Sequence, residues 1–195
     1  MYWYNINMKN TRDVKIVAFI GMPGAGKSSA VDYVIERKYP RVYFGDVLQA
    51  VRDAGLEETP DNERYMREKL RKEDGNDFIA KRAAKQINDL IEAGQKRIIV
   101  ESLYSWTEYK FLKNAFPGEL FLVAIVAPRS LRHKRLSKRP IRPLTPREAM
   151  GRDWSEIENL EKGGPIAIAD HYIQNTGDIE ELHEKVDIEL KDIGF

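Results

Sequence analysis

Short apolar runs alternate along this chain with stretches whose hydrophobic positions recur at helical spacing. The first run, "VKIVAFI" (14–20), is continuous in apolar and β-branched residues, the pattern of a strand buried on both faces. A helix is expected from Lys27 to about Arg37, then a short strand "RVYF" (41–44). Residues 46–55 and 61–94 read as helices, broken near Thr59-Pro60 and Gly75, with Gly94 closing the last. "RIIV" (97–100) and "ELFLVAIVA" (119–127) are further strands, with a helix around 106–115 between them. A basic helix follows over about 129–139. The proline-punctuated link "RPIRPLTPRE" leads into another helix ending near Lys162. "HYIQN" (171–175) is a last strand, and 178–191 a closing amphipathic helix. Strands and helices in this alternation predict an α/β fold with a mostly parallel sheet.

Composition narrows the chemistry. At 195 residues the chain suits one domain with a full core, and no repeat, low-complexity segment or linker divides it. A net charge of +1 argues against a surface devoted as a whole to nucleic acid or anionic membrane. With no cysteine, disulfides, thiolate chemistry and cysteine zinc sites are excluded. His133, His171 and His183 lie far apart, without metal-ligand spacing. No apolar run approaches the ~18 residues of a membrane span. The opening "MYWYNIN" lacks the layout of a signal peptide, and Met8 is an alternative start. The expected compartment is the cytoplasm, with the oligomeric state open.

"GMPGAGKSS" (21–29) carries the strongest chemical signal: it fits G-x-x-x-x-G-K-[ST], follows an apolar strand and opens a helix. Such a loop turns successive N–H groups inward, and the helix adds the positive end of its dipole. Gly21, Met22, Pro23, Gly24, Ala25, Gly26, Lys27, Ser28 and Ser29 are therefore assigned to a nucleotide. Lys27 is expected to reach the β- and γ-phosphates, and the Ser28 hydroxyl to ligate Mg²⁺. A second metal-directed acid is expected at a buried strand end. Glu101, closing "RIIVE", is the first candidate; Asp46 in "YFGDVL" is the other, and it also suits a helix cap.

From Arg129 to Arg142 there are seven Lys/Arg and no acid. Arg132, Arg135 and Arg139 share one helix face. A nucleic-acid patch usually interleaves aromatics for stacking, and this segment has none. A solvated face is the plainer alternative, although a run without acids repels itself unless an anion balances it. Beside a phosphate loop, a lid of arginines closing over a triphosphate fits best, and prolines 140, 143 and 146 suit a moving loop.

"GMPGAGKS", "YFGDVL", "RIIVES", "LRHKRLSKR" and "GRDW", in this order, resemble the nucleoside monophosphate kinases and dephospho-CoA kinase. An archaeal adenylate-kinase-related group is more similar still, over about residues 14–180. The resemblance implies a three-layer P-loop NTPase fold with a five-stranded parallel sheet, a helical acceptor-binding insert (about 47–94) and a short lid (about 137–150). It places Asp46 near Mg²⁺ and the acceptor, Arg135 on adenine, Arg139 and Arg152 on phosphates, and Arg71 in the acceptor insert. Asn175, Thr176 and Gly177 would border the adenine. Two departures stand out. The family usually has Asp-Gly after the third strand, with an arginine two residues on, where this chain has "ESLY"; and Gln49 replaces the arginine following "GDxL". Both missing arginines would grip an acceptor phosphate. Arg52, Arg64, Arg67 or Arg71 could serve instead, or the acceptor carries no phosphate.

The expected function is an Mg-ATP-dependent phosphotransferase with a small nucleotide-like acceptor. Lys27, Asp46, Arg139 and Arg152 are its catalytic candidates. Arg132 and Arg135 join the loop in holding ATP, Arg71 and Glu101 face the acceptor, and Ser28, Asp46 and Glu101 serve the metal. A P-loop ATPase, an ATP-binding regulatory module without an acceptor, and an RNA-binding basic helix are the alternatives.

Overall fold

Five parallel strands form the sheet: β1 (Lys15–Ile20), β2 (Arg41–Tyr43), β3 (Arg97–Glu101), β4 (Leu120–Val126) and β5 (His171–Gln174), in the spatial order β2-β3-β1-β4-β5. The structure, a computed structural model, describes residues 13–195 apart from 44–47, 58, 60, 61, 63, 64, 67, 68, 71, 74, 76, 102, 104, 141 and 142, and apart from the side chains of 48 and 49. β1 lies at the centre, which explains its unbroken apolar run: a strand covered on both faces has no solvent side to make polar. Alternate residues feed the two cores. Ile16, Ala18 and Ile20 point to one, Val17 and Phe19 to the other.

Helices cover both faces, completing the three-layer α/β architecture. Over the first face lie α3 (Phe78–Glu92) and α4 (Trp106–Ala115), which insert Ala80, Ala83, Ile87 and Leu112. Over the second lie α1 (Lys27–Ile35) and α8 (Ile179–Ile193). The α8 stripe Leu182, Val186, Leu190 and Ile193 follows the helical repeat. Burying each of these side chains contributes about 1.5–3 kcal/mol of transfer free energy before its ordering cost. Further helices are α2 (Leu48–Asp53), α5 (Arg129–Ser137), α6 (Pro146–Glu158) and α7 (Gly163–Ala167).

Local chemistry sets the helix ends. Ser105 and Glu108 form a reciprocal capping box at α4, and Thr145 and Glu148 form another at α6, where Pro146 takes the first helical position. Gly194, at φ 74°, closes α8 in the left-handed conformation. The break expected near Gly75 is present just ahead of α3, with Gly75 at φ 90°. Ala50, Val51, Met66, Leu70 and Phe78 form a small apolar cluster of their own within the 47–94 segment.

One short helix, α7, differs from the expectation that helix ends near Lys162. Gly163, Gly164 and Pro165 read as breakers, but proline is tolerated in a first turn, where its missing N–H has no intrahelical partner to lose. The chain reverses at Glu161, at φ 52°, before α7 starts.

Candidate nucleotide-binding site

Because β1 pairs with β3 on one side and β4 on the other, the strand order reverses at β1, which opens a crevice at the carboxyl ends of these strands. Residues 21–26 run from β1 into α1 across that crevice. Gly21 is buried against the Ile125 carbonyl of β4. Gly24 and Gly26 adopt φ 79° and 106°, where a side chain strains the backbone. A Cβ on Gly26 would also stand 2.2 Å from Asn175 Nδ2. Met22 accepts from the Ala25 N–H at 3.0 Å, tightening the loop. The first turn of α1 holds no acid and no side-chain cap. Its leading N–H groups and the exposed Ser28 and Ser29 are thus open to an anion.

Lys27 and Glu101 meet here. Lys27 Nζ donates to Glu101 Oε1 at 3.4 Å, and Arg41 Nη1 donates to Oε2 at 3.3 Å. Glu101 ends β3 opposite Phe19 of β1 and Tyr43 of β2, and only 8% of it is exposed. It is therefore a buried carboxylate at the phosphate loop, not a surface glutamate. Both contacts are long, so neither locks the carboxylate.

Arg135 and the loop after β5 form a second part of the site. Arg135 donates to the Asn175 carbonyl at 3.2 Å, to Asn175 Oδ1 at 3.3 Å and to the Gly177 carbonyl at 3.3 Å. The buried Asn175 passes the connection on, its Nδ2 donating to the Ala25 carbonyl at 2.8 Å. Gly26, Ser29, Arg135, Asn175, Gly177 and Ile179 border an open cavity of about 250 Å³ beside the start of α1. A larger open depression, about 470 Å³, lies at the ends of β4 and β5, and among the described residues no charged side chain lines it.

Arg132 has a different place from the one expected. Its guanidinium donates to both oxygens of Asp153, at 2.7 and 2.8 Å, and to the Pro23 carbonyl at 2.9 Å. The Arg132 and Asp153 side chains are each only 8% exposed. Arg132 thus braces the phosphate loop and ties it to α6, because it shares the buried face of α5 with Leu136, one turn on. The sequence showed the shared arginine face but not the aspartate 21 residues on that claims its first member. Burial pushes the Asp153 carboxyl up, but hydrogen bonds from Arg132 and His133 outweigh it and hold the group below its usual range.

Arg139 is exposed just past α5 and makes no ion pair among the described residues. Arg152 is half exposed on α6, its Nε 3.5 Å from Glu156 Oε1. Asp46 and Arg71 lie outside the described residues, as do Tyr104 and the side chain of Gln49. One residue the sequence did not mark is Lys162, which is 2% exposed and donates to Glu156 Oε2. Burial holds its ammonium below the usual lysine range; Glu156 pulls the other way, and the nearby charges of Lys27 and Arg152 add to the lowering. A lysine at a helix end before Gly-Gly reads as solvated, so the sequence carried no signal for it.

The oxygen donors at the site, the Ser28 hydroxyl and the Glu101 carboxylate, suit a hard cation. A small protein donor set also suits Mg²⁺, which keeps several waters and takes further oxygens from phosphates. No group of three or more His, Asp or Glu gathers as a metal cage among the described residues.

Sheet order and phosphate loop, with a carboxylate at the end of the neighbouring strand, together define a protein of the P-loop NTPase fold. A family model described as "AAA domain" matches residues 17–162. The chain is 35% identical over 175 residues to a UPF0200 protein of Thermococcus gammatolerans, covering 88% of this chain and 91% of that one. It belongs to the UPF0200 family. Its fold is similar to that of a gluconokinase from Sinorhizobium meliloti (TM-score 0.55, 18% identity, 93% of each chain). A shikimate kinase from Bacteroides thetaiotaomicron is comparable (TM-score 0.56, 12% identity, 93% of this chain and 99% of that one). Among the described residues no helix is long and apolar enough to cross a membrane.

Proposed function

We propose that the protein is an Mg-ATP-dependent phosphotransferase that moves the γ-phosphoryl group of ATP to a small acceptor. The observation that carries this reading is the meeting of Lys27 with the buried Glu101 at the mouth of the phosphate loop, with Arg139 and Arg152 on the elements beyond. A loop for binding alone needs the cradle of N–H groups; a transferring site also needs a carboxylate on the acceptor side and movable cations for the developing charge.

In this reading the loop N–H groups and Lys27 hold the β- and γ-phosphates. Ser28 and Glu101, with Asp46, would hold Mg²⁺, which when bound neutralises phosphate charge. Glu101 shifts from Lys27 and Arg41 toward the acceptor, orienting its hydroxyl and drawing on the proton that leaves. Arg139 and Arg152 close on the terminal phosphate and keep water out. Arg135, fastened to Asn175 and Gly177, forms the wall against which the base lies. Since phosphoryl transfer demands mainly positioning and charge stabilisation, these groups suffice.

The acceptor is a nucleotide-like molecule, and the kinases of similar fold widen the set worth testing. A screen with γ-labelled ATP and Mg²⁺ uses nucleoside monophosphates, nucleosides, dephospho-CoA, shikimate, gluconate and water, with Lys27→Ala as control. Label in one acceptor, lost in the control, is the expected result. Equal phosphate release in every tube would make the protein an ATPase. ATP binding without any release would make it a regulatory module.

A further inference from the structure

Glu156 is shared between two cations of opposite exposure. It lies one helical turn after Arg152 on α6, so the two occupy one face. Its Oε1 accepts from Arg152 Nε at 3.5 Å, while Oε2 accepts from Lys162. The Arg152 side chain is 50% exposed and that of Lys162 is 3%. Lys162 is built in from several sides. Its N–H also bonds the Glu156 carbonyl at 3.2 Å, and α7 begins with the next residue. Gly164 of α7 abuts the Trp106 ring at the start of α4, five residues beyond Glu101.

Burying an ammonium costs several kcal/mol, and Glu156 already has a cation on its own helix. A packed apolar side chain would close this corner more cheaply. The ammonium therefore needs a reason to be there, and the geometry at Arg152 supplies one. An unshared i, i+4 carboxylate would draw the guanidinium into a close pair and compete with a phosphate for it. Here the carboxylate is engaged from behind, the Arg152 contact is long, and both Nη groups are without partners among the described residues.

We propose that Lys162 is a positioning residue that holds Glu156 from the buried side, so that Arg152 stays aimed into the site yet free to release toward an incoming polyphosphate. The inference rests on the reading of Arg152 as a phosphate ligand. It assigns Lys162 no contact with the nucleotide. The low proton affinity of Lys162, set by burial and by Lys27 and Arg152, agrees with an ammonium that Glu156 helps to keep charged.

The test is calorimetric binding of inorganic tripolyphosphate to the full chain, which needs neither acceptor nor turnover. Lys162→Met is expected to bind about tenfold more weakly, because Glu156 then closes on Arg152. Arg152→Gln should lose about the same factor, and Lys162→Met/Arg152→Gln no more than Arg152→Gln alone. Glu156→Gln/Lys162→Met, which removes both buried charges, should fold and return to within about threefold of wild type. Losses that multiply in Lys162→Met/Arg152→Gln would overturn the proposal, as would an unaffected Lys162→Met. If Lys162→Met does not fold, Glu156→Gln/Lys162→Met decides alone, since a tenfold loss there makes Lys162 a ligand and not a positioner. Wild-type binding that Lys27→Ala abolishes and Lys162→Met spares would sink only this inference. A wild type that binds no tripolyphosphate would overturn the phosphotransferase reading with it.

Discussion

Asp153→Ala is the most informative single perturbation of the scaffold, because it removes one half of a buried ion pair that also braces the phosphate loop. Arg132 and Asp153 make two hydrogen bonds at 2.7 and 2.8 Å, and His133 adds a third contact to the same carboxylate at 3.0 Å. Both side chains of the pair are 8% exposed, so solvent cannot replace the lost partner. Stripping one member from such a pair costs about 3–5 kcal/mol, a large share of a total stability of about 5–15 kcal/mol. At about 2–4 °C per kcal/mol for a chain of this size, melting should fall by about 6–20 °C. Equilibrium urea unfolding followed by tryptophan fluorescence suits the measurement, since Trp154 adjoins the altered residue. The paired variant Arg132→Met/Asp153→Leu removes both charges and should recover most of the loss. The carboxyl is held below its ordinary value in the folded state, so its contribution is complete above about pH 3.9 and lost as pH falls through the folded-state value. The advantage of wild type over Asp153→Asn should therefore be flat from pH 7 to about 4 and shrink below that. A loss under about 1 kcal/mol for Asp153→Ala, or additive losses for the two residues, would refute the argument.

Two further outcomes probe the site. Gly26→Ala places a methyl 2.2 Å from Asn175 Nδ2 on a backbone at φ 106°, and should cost about 2–4 kcal/mol and abolish ATP-induced stabilisation in a thermal shift assay. Arg139→Ala should lower turnover by about 10² or more with ATP affinity little changed, because Arg139 makes no ion pair among the described residues; equal turnover removes it from the mechanism.

How far the sequence reveals the molecule depends on whether a residue's role is local. "VKIVAFI", "RIIV" and "ELFLVAIVA" become strands within a residue or so of their expected ends, because burial on both faces leaves an unbroken apolar run. The phosphate loop is equally legible, since its glycines and Lys27 act through backbone shape and one adjacent helix. Glu101 stands at the buried end of β3, where the apolar run placed it. Long-range pairing is what stays hidden. Arg132 reads like Arg135 on the helix, and only the fold brings Asp153 against one and Asn175 against the other. Lys162 looks solvated because the reversal at Glu161 that buries it involves a non-glycine residue at φ 52°, which no turn motif announces. α7 was missed for a related reason: its glycines and proline mark a break in isolation and a helix start in place.

The segment that carries Arg139 has a closed base. Leu144 N–H bonds the Leu136 carbonyl at 3.2 Å, and the Thr145 capping box with Pro146 stiffens the chain immediately beyond. Arg139 stands three residues from that knot, so its backbone can swing only about 10 Å from it even when fully extended. In the proposed reading such a tether would act as a trapdoor and not as a hinged domain: little chain entropy would be spent on closing it, and it would reopen without separating packed surfaces. Product escape would then be gated by a few torsions, and turnover would be set by the hold on phosphate rather than by a large rearrangement of the protein.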